Sequence, residues 1–381
     1  MKNLNVRCLV MFLSVCILFG ALPFTASAEI EIEAPSVILI EAVTGTVLYE
    51  KDSEIRRHPA SVTKVMTLLL VYEALETGKI KLDEMVNVSE NAAGMGGSQI
   101  YLEPGELMTV EDMIKSVVIC SANDAAVALA EHVAGSESDF VDMMNEKARE
   151  LGMKNTHFDN TNGLDDTTDT HLTTAKDIAI MSRELIVSYP DILKYTTIWQ
   201  DTIRNGEFTL TNTNKLIRFY SGANGLKTGF TDKSGYCISA CAKRDGMQLI
   251  AVIMGAQTSD KRNVTAKRLF DYGFANYEFA QFDEVCDIPF SISSGVKGSS
   301  VAQGSGFCCV LKKGTSSDVK QTVEVSQPVP APVRKGDIIG KITYTLSGNE
   351  IGFSDIIASE DVEKISYFSL LKMIFRKYFM F

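Results

Sequence analysis

The chain is poor in the residues that build metal sites and cross-links. Its four histidines and eight cysteines are scattered, and no C-x-x-C pair or His/Cys cluster has the spacing of a zinc site. Cys8 and Cys16 fall in an N-terminal apolar run, leaving Cys120, Cys237, Cys241, Cys286, Cys308 and Cys309. Cys237 and Cys241 share one strand-like stretch, roughly 13 Å apart at about 3.3 Å per residue, too far for a disulfide. These cysteines read as small buried hydrophobes, not as a disulfide framework. Basic charge is also short. Against 48 Asp and Glu stand 37 Lys and Arg, a net charge of −11. Phosphate contacts need basic surface, so nucleic acid is not an expected partner.

What is present begins with a secretory pattern. Lys2 and Arg7 precede an apolar run from Cys8 to about Phe24, and Ala26-Ser27-Ala28 has the A-x-A form of a cleavage site. Residues 1–28 are therefore read as a signal peptide; the alternative is an uncleaved anchor. About 353 of the 381 residues then remain, with a net charge of −13, enough for two ordinary domains.

Ser36–Glu41 and Val47–Tyr49 flank a turn and predict a hairpin. Ser61 opens a long apolar stretch to Leu75 that predicts a buried helix. Thr109 has the look of a capping residue for a helix from Met113 to about Cys120. Further helices are expected over Asp124–His132, Thr173–Met181 and Val264–Tyr272. Residues 234–255 predict two strands joined at Arg244-Asp245-Gly246. Strands at both ends with helices between imply an α+β domain, one antiparallel sheet flanked by helices. This catalytic domain is expected over 29–278. Residues 279–360, rich in Ser, Gly, Val and Ile, predict a small all-β domain.

The tail, 361–381, is different again. From Lys364 onward it carries four basic residues and no acidic one. At about 100° per residue, Tyr367, Phe368, Leu370, Leu371, Ile374, Phe375, Tyr378 and Phe379 gather on one side. Ser366, Ser369, Lys372, Arg376 and Lys377 gather on the other. The segment is too short to span a bilayer. It reads as an amphipathic helix lying on a membrane surface; the alternatives are a helix packed on the β domain or a dimer contact.

Three short elements carry chemistry: Ser61-Val62-Thr63-Lys64, Ser121-Ala122-Asn123 and Lys227-Thr228-Gly229. The bare patterns recur at Ser294–Lys297, Ser317–Lys320, Ser347–Asn349 and Lys233-Ser234-Gly235, so context must select among them. Ser294 and Ser317 lie in the Gly/Ser-rich region with no helix after them. Ser61 opens an apolar helix that sets Lys64 one turn later on the same face. A serine needs a base to take its proton, and a lysine serves only if burial or a neighbouring cation lowers its pKa. Lys227 would be such a cation. Ser121 and Asn123, between two helices, can relay a proton and bind substrate amides. Lys227 and Thr228 enter a strand and can hold a carboxylate, and Gly229 permits close approach of a substrate.

S-x-x-K, S-x-N and K-T-G in this order mark penicillin-binding proteins and β-lactamases. The wider matching text is Pro59–Thr67, Ser121–Asp124, Gly163-Leu164 with His171–Ala175, and Gly225–Thr231 with Gly235–Cys237. On these residues the chain resembles the low-molecular-mass penicillin-binding proteins that are D-alanyl-D-alanine carboxypeptidases, over nearly all of the mature sequence. The resemblance implies that Ser61 attacks the carbonyl of the penultimate D-Ala of a peptidoglycan stem pentapeptide and releases the terminal D-Ala. It implies Lys64 as base, Ser121 as proton relay and Asn123 as a substrate-positioning group. Lys227 and Thr228 would bind the carboxylate, with Arg262 assisting. The oxyanion hole would be the backbone N–H groups of Ser61 and Phe230. β-Lactams would acylate Ser61. No metal or organic cofactor is implied, since lysine supplies the base. The enzyme would work, exported, at the outer face of the bacterial cytoplasmic membrane as a peripheral protein.

Two departures stand out. Phe230 replaces a histidine found in some members, and Asn162 stands where some carry histidine. A class A β-lactamase is the nearest rival, but it has S-D-N where this chain has Ser-Ala-Asn. It also places a deacylating Glu in a loop where residues 157–172 contain Asp159, Asp165, Asp166 and Asp169 but no Glu. A D,D-endopeptidase with the same machinery and an inactive cell-wall-binding scaffold are the remaining alternatives.

Overall fold

The computed structural model describes residues 30–166 and 168–379; the expected signal peptide, 1–28, lies outside them. From Glu33 onward the chain forms one compact unit. Its first sheet has five antiparallel strands. β1 (Ser36–Glu41) and β2 (Val47–Lys51) form the expected hairpin. After the helices, β3 (Ala223–Thr231), β4 (Gly235–Arg244) and β5 (Met247–Ala256) complete the order β2-β1-β5-β4-β3. The β4–β5 turn falls where Arg244-Asp245-Gly246 places it. Asp245 and Gly246 both have positive φ, 48° and 81°, as a two-residue hairpin on right-twisted strands requires. Among the described residues β3 is an edge strand, bonded to β4 alone.

The helices divide between the two faces. The expected Ser61 helix is shorter at its start: Ala60–Thr63 form a 3-10 turn, and α1 runs Lys64–Glu76. Ten of its thirteen residues are buried, because a helix apolar on every side finds its place only inside. α2 (Val110–Ile119) is capped by Thr109, whose hydroxyl accepts from the Asp112 N–H. α3 (Asn123–Ala134) follows within three residues, so Ser121 and Ala122 form a tight corner between them. α4 (Ala175–Ser188) packs on the same face of the sheet; Ser182 of α4 and Ser239 of β4 share a buried 2.7 Å hydrogen bond. On the opposite face lies α5, which runs Ser259–Asn276, longer than the expected Val264–Tyr272. Its N-cap, Thr258, accepts from the Lys261 N–H, which brings Arg262 inside the helix.

The C-terminal β region begins at Tyr277, two residues before the expected boundary. Tyr277–Phe282 pairs with Phe307–Lys312, and a six-stranded sheet takes in the segments between Val285 and Ala358. Ile288, Phe290, Ile342, Tyr344 and Ile356 form its core. Tyr367–Phe379 is helical, as the tail pattern predicts. Among the described residues no helix is long and apolar enough to cross a membrane.

Candidate active site

Lys64 is the centre of the site. Its side chain is fully buried, and its amine lies 2.9 Å from Ser61 Oγ and donates to Asn123 Oδ1 at 2.6 Å and the Asn162 carbonyl at 2.8 Å. Burial drives its pKa well below the ordinary lysine value, and Lys227 lowers it further. Both causes were legible in the sequence, but desolvation is the larger. In the neutral amine the two hydrogens go to Asn123 Oδ1 and the Asn162 carbonyl, which leaves the lone pair facing the Ser61 hydroxyl. That is the arrangement of a base beside its nucleophile.

The backbone is strained at both corners that meet here. Ala60, directly before Ser61, has φ 49°, and Ser121 has φ 69°. Non-glycine residues in this region cost about 1–3 kcal/mol each and persist where surrounding structure demands them. The Ser121 corner is held by Ala122 N–H to the Ser116 carbonyl (3.1 Å) and Asn123 N–H to the Ser98 carbonyl (2.7 Å). Asn123 Nδ2 donates to the Gly96 carbonyl at 2.7 Å, which fixes Oδ1 toward Lys64. Asp124, the next residue, accepts from the N–H groups of Ile100 and Leu102 and so moulds the same loop.

The third element lies on the edge strand. Lys227 is buried, and burial pushes its pKa down to about 7. Thr228 shares a 2.7 Å hydrogen bond with Thr213, whose N–H bonds the Ile119 carbonyl at 3.0 Å. The β3 edge is thereby stitched to the end of α2, just before Ser121. Gly229 also makes room within the fold. A Cβ there would sit 2.9 Å from the Pro59 carbonyl oxygen and 3.0 Å from Ser61 N. The close approach here is that of the nucleophile's own turn. Phe230 is half exposed and stacks on Tyr236 with ring centroids 4.3 Å apart. Arg262, buried, reaches the carbonyl of Cys237 (3.4 Å), the residue across from Gly229. All nine residues singled out in the sequence therefore lie on the few segments around Lys64 and the β3 edge.

The other copies of the patterns fall elsewhere. Ser294 and Ser317 are in the C-terminal β region, where Lys297 pairs with Glu360. Lys233 and Ser234 form the β3–β4 turn.

Sequence reasoning gave no role to the loop that carries Asn162. Asn160 Oδ1 accepts from the Gly163 N–H at 2.7 Å, and its Nδ2 donates to the Leu164 carbonyl at 2.7 Å. Thr67 donates to the Thr161 carbonyl at 2.5 Å. A bare carbonyl as a ligand for Lys64 leaves no side-chain signature, so the sequence pointed to this segment only through its Gly163-Leu164 text and the departure at Asn162.

A serine held on a buried, deprotonatable lysine beside the edge of an antiparallel sheet defines a serine acyl-transfer enzyme of the penicillin-recognising class. Residues 23–258 match the family described as D-alanyl-D-alanine carboxypeptidase, peptidase S11, and residues 299–364 match the C-terminal domain of penicillin-binding protein 5. The chain is 42% identical over 355 residues to the D-alanyl-D-alanine carboxypeptidase DacF of Bacillus subtilis (strain 168), spanning 91% of this chain and 90% of that protein. The crystal structure of penicillin-binding protein 5 from Haemophilus influenzae superposes with a TM-score of 0.79 at 32% identity, over 88% of this chain and 98% of the other. Penicillin-binding protein D2 from Listeria monocytogenes, solved in an ampicillin-bound form, is 31% identical, with a TM-score of 0.59 over 65% of this chain and 99% of its own. The chain belongs to the S11 family. It is a serine-type D-alanyl-D-alanine carboxypeptidase.

Proposed function

We propose that Ser61 forms the acyl-enzyme and that the residues around it divide the work as follows. Ser61 Oγ attacks the carbonyl of the penultimate D-Ala while its proton passes to Lys64 Nζ. The negative oxygen that develops is met by the backbone N–H groups of Ser61 and Phe230, donors of the kind whose removal typically costs about 10²–10³ in rate. The C–N bond breaks, and the leaving D-Ala amine takes a proton through Ser121. Water then cleaves the ester, with Lys64 again as base. Asn123 orients the substrate amide; Lys227, Thr228 and Arg262 hold the terminal carboxylate, with Gly229 letting β3 lie against the Ser61 turn. The observation that carries this reading is the 2.9 Å contact between a buried amine of lowered pKa and Ser61 Oγ.

Peptidoglycan stem peptides are the substrates and β-lactams the acylating inhibitors, as the ampicillin-bound relative suggests. The test uses diacetyl-Lys-D-Ala-D-Ala with wild type and Ser61→Ala. D-Ala release and labelling by fluorescent penicillin are expected from wild type alone; equal release from Ser61→Ala would refute the assignment.

The two lysines also set a pH profile. Lys64 must be neutral to accept the serine proton, so acylation rises with pH on the acid side. Lys227 must be charged to hold a carboxylate, and with its pKa near 7 in the empty site the KM rises as pH climbs beyond that value. A bound carboxylate raises the Lys227 pKa, so the alkaline limb of kcat lies above that of kcat/KM. A KM that stays flat between about pH 6 and 9 would contradict the role of Lys227.

We read the chain as a signal peptide (1–28), a catalytic domain (29–278), a β domain (279–360) and an anchoring helix (361–381), an organisation that suits an enzyme at the outer face of the cytoplasmic membrane. What supports the anchor is exposure: Tyr367, Phe368, Leu371 and Phe375 are 74%, 80%, 52% and 61% exposed, beside exposed Lys372 and Arg376. So many exposed aromatics on one basic helix suit a membrane interface. Deletion of residues 364–381 is expected to move the protein to the soluble fraction after cell lysis; unchanged partitioning would dispose of the anchor.

A further inference from the structure

We propose that His171 is a positioning residue for acylation, clamping the turn that carries Ser61 and Lys64 to the loop whose Asn162 carbonyl holds the Lys64 amine. The inference rests on the reading of Ser61 and Lys64 as the reacting pair.

His171 is fully buried, with its ring edge-on to Phe158. Its Nδ1 accepts from the Asp159 N–H at 3.0 Å, and its Nε2 lies 2.8 Å from Thr63 Oγ1. A backbone N–H can only donate, so Nδ1 is the bare nitrogen and Nε2 carries the proton, which it gives to Thr63. Thr63 immediately precedes Lys64. Asp159 opens the loop that Asn160 folds around Gly163, delivering the Asn162 carbonyl to Lys64. The hydrogen bonds close a ring: Lys64 to Asn162, through the loop to Asp159, to His171, to Thr63, and along the backbone to Lys64. A shift at any link moves the base against its acceptors.

The ring needs a neutral imidazole, since a protonated Nδ1 would turn a donor toward the Asp159 N–H. Burial supplies this, taking the His171 pKa down to about 4 against the pull of Asp159 and Asp165, with His58 and His157 pushing the same way as burial. Asp159 is itself occupied, accepting from Thr168, Thr170 and His157. At neutral pH the clamp therefore has one protonation state and one tautomer.

The test cuts the link at Thr63, where the imidazole stays in place. In the full chain, Thr63→Val keeps the shape and removes the acceptor; Thr63→Ser keeps the acceptor. Thr63→Val is expected to lower both kcat for D-Ala release and the rate of acylation by fluorescent penicillin by roughly ten- to a hundredfold, with KM within about twofold of wild type. Thr63→Ser is expected to restore both rates to within about threefold, whatever the thermal midpoints of the two variants. Thr63→Ala, which adds no bulk, gives the same readout should the valine variant not fold. Wild-type acylation in Thr63→Val and Thr63→Ala, equal damage in Thr63→Ser, or a loss confined to KM would overturn the proposal. Ser61→Ala run alongside separates the two readings: activity there would dispose of the reacting pair itself, not of the clamp alone.

Discussion

Lys64→Met is expected to lower kcat/KM for D-Ala release by about a thousandfold or more while leaving the thermal midpoint close to that of wild type. Methionine fills nearly the volume of lysine, so the fully buried α1 position stays packed. The substitution removes the amine that lies 2.9 Å from Ser61 Oγ and that is proposed to take its proton. General-base catalysis contributes typically 10²–10⁴ in rate, and an unactivated serine is a poor nucleophile. Stability moves little because two terms oppose each other. Asn123 Oδ1 and the Asn162 carbonyl lose a donor, at about 1–3 kcal/mol for each group left buried and unbonded. Against this, the chain no longer buries an amine whose environment, with Lys227 nearby, works against its charged form. Thermal melts and D-Ala release together decide the matter. Activity within tenfold of wild type in a folded Lys64→Met protein would show that some other group acts as base.

Gly163→Ala is expected to be the most damaging single methyl in the catalytic domain. Gly163 has φ 88°, a conformation alanine resists, and an added Cβ would collide with the carbonyl of Ala60 and stand 2.8 Å from Thr63 Oγ1. Both contacts belong to the Ser61 turn: one is backbone, and the other is a short hydroxyl held by His171. Strain and clash together exceed about 3 kcal/mol, which for a domain of this size lowers the melting temperature by roughly 6–12 °C. The effect reaches function because Gly163 follows Asn162. Any retreat of the loop draws the carbonyl away from its 2.8 Å contact with Lys64, so penicillin labelling falls along with stability. A melting temperature within about 2 °C of wild type, with labelling intact, would show that the loop and turn are less tightly joined than the geometry requires.

The difference between these two residues shows what could be read in advance. Lys64 was legible because a helix fixes what lies one turn from Ser61, and an apolar helix implies burial, hence a shifted pKa. Ser121 and Lys227 were legible because their neighbours announced a helix–helix corner and a strand. The β4–β5 hairpin was visible in Asp245-Gly246, and the tail in its two-sided pattern. Gly229 was legible as a place of close approach, but that the Ser61 turn is one of the backbones that approaches it is a tertiary fact. Asn162 acts through a carbonyl, which every residue has, and His171 through a hydrogen bond to a residue 108 positions away. Neither leaves a local periodicity or spacing to detect. The 3-10 turn at Ala60–Thr63 was hidden for a related reason, since its shape comes from β3 and Gly163 pressing on it rather than from its own sequence.

Because β3 ends the order β2-β1-β5-β4-β3, the central sheet stops one strand short on the side of Ser61. An extended peptide laid along that margin would be read chiefly by its amides, and amides are common to every peptide. Along the paired stretch, then, such recognition is nearly blind to side-chain identity. On the proposed roles, discrimination would fall to the boundaries of the pairing: a terminal carboxylate meeting the buried Lys227, and whatever the exposed ring of Phe230 touches beyond. An enzyme built in this way can serve cell walls whose cross-linking residues differ, provided that the chain end stays the same.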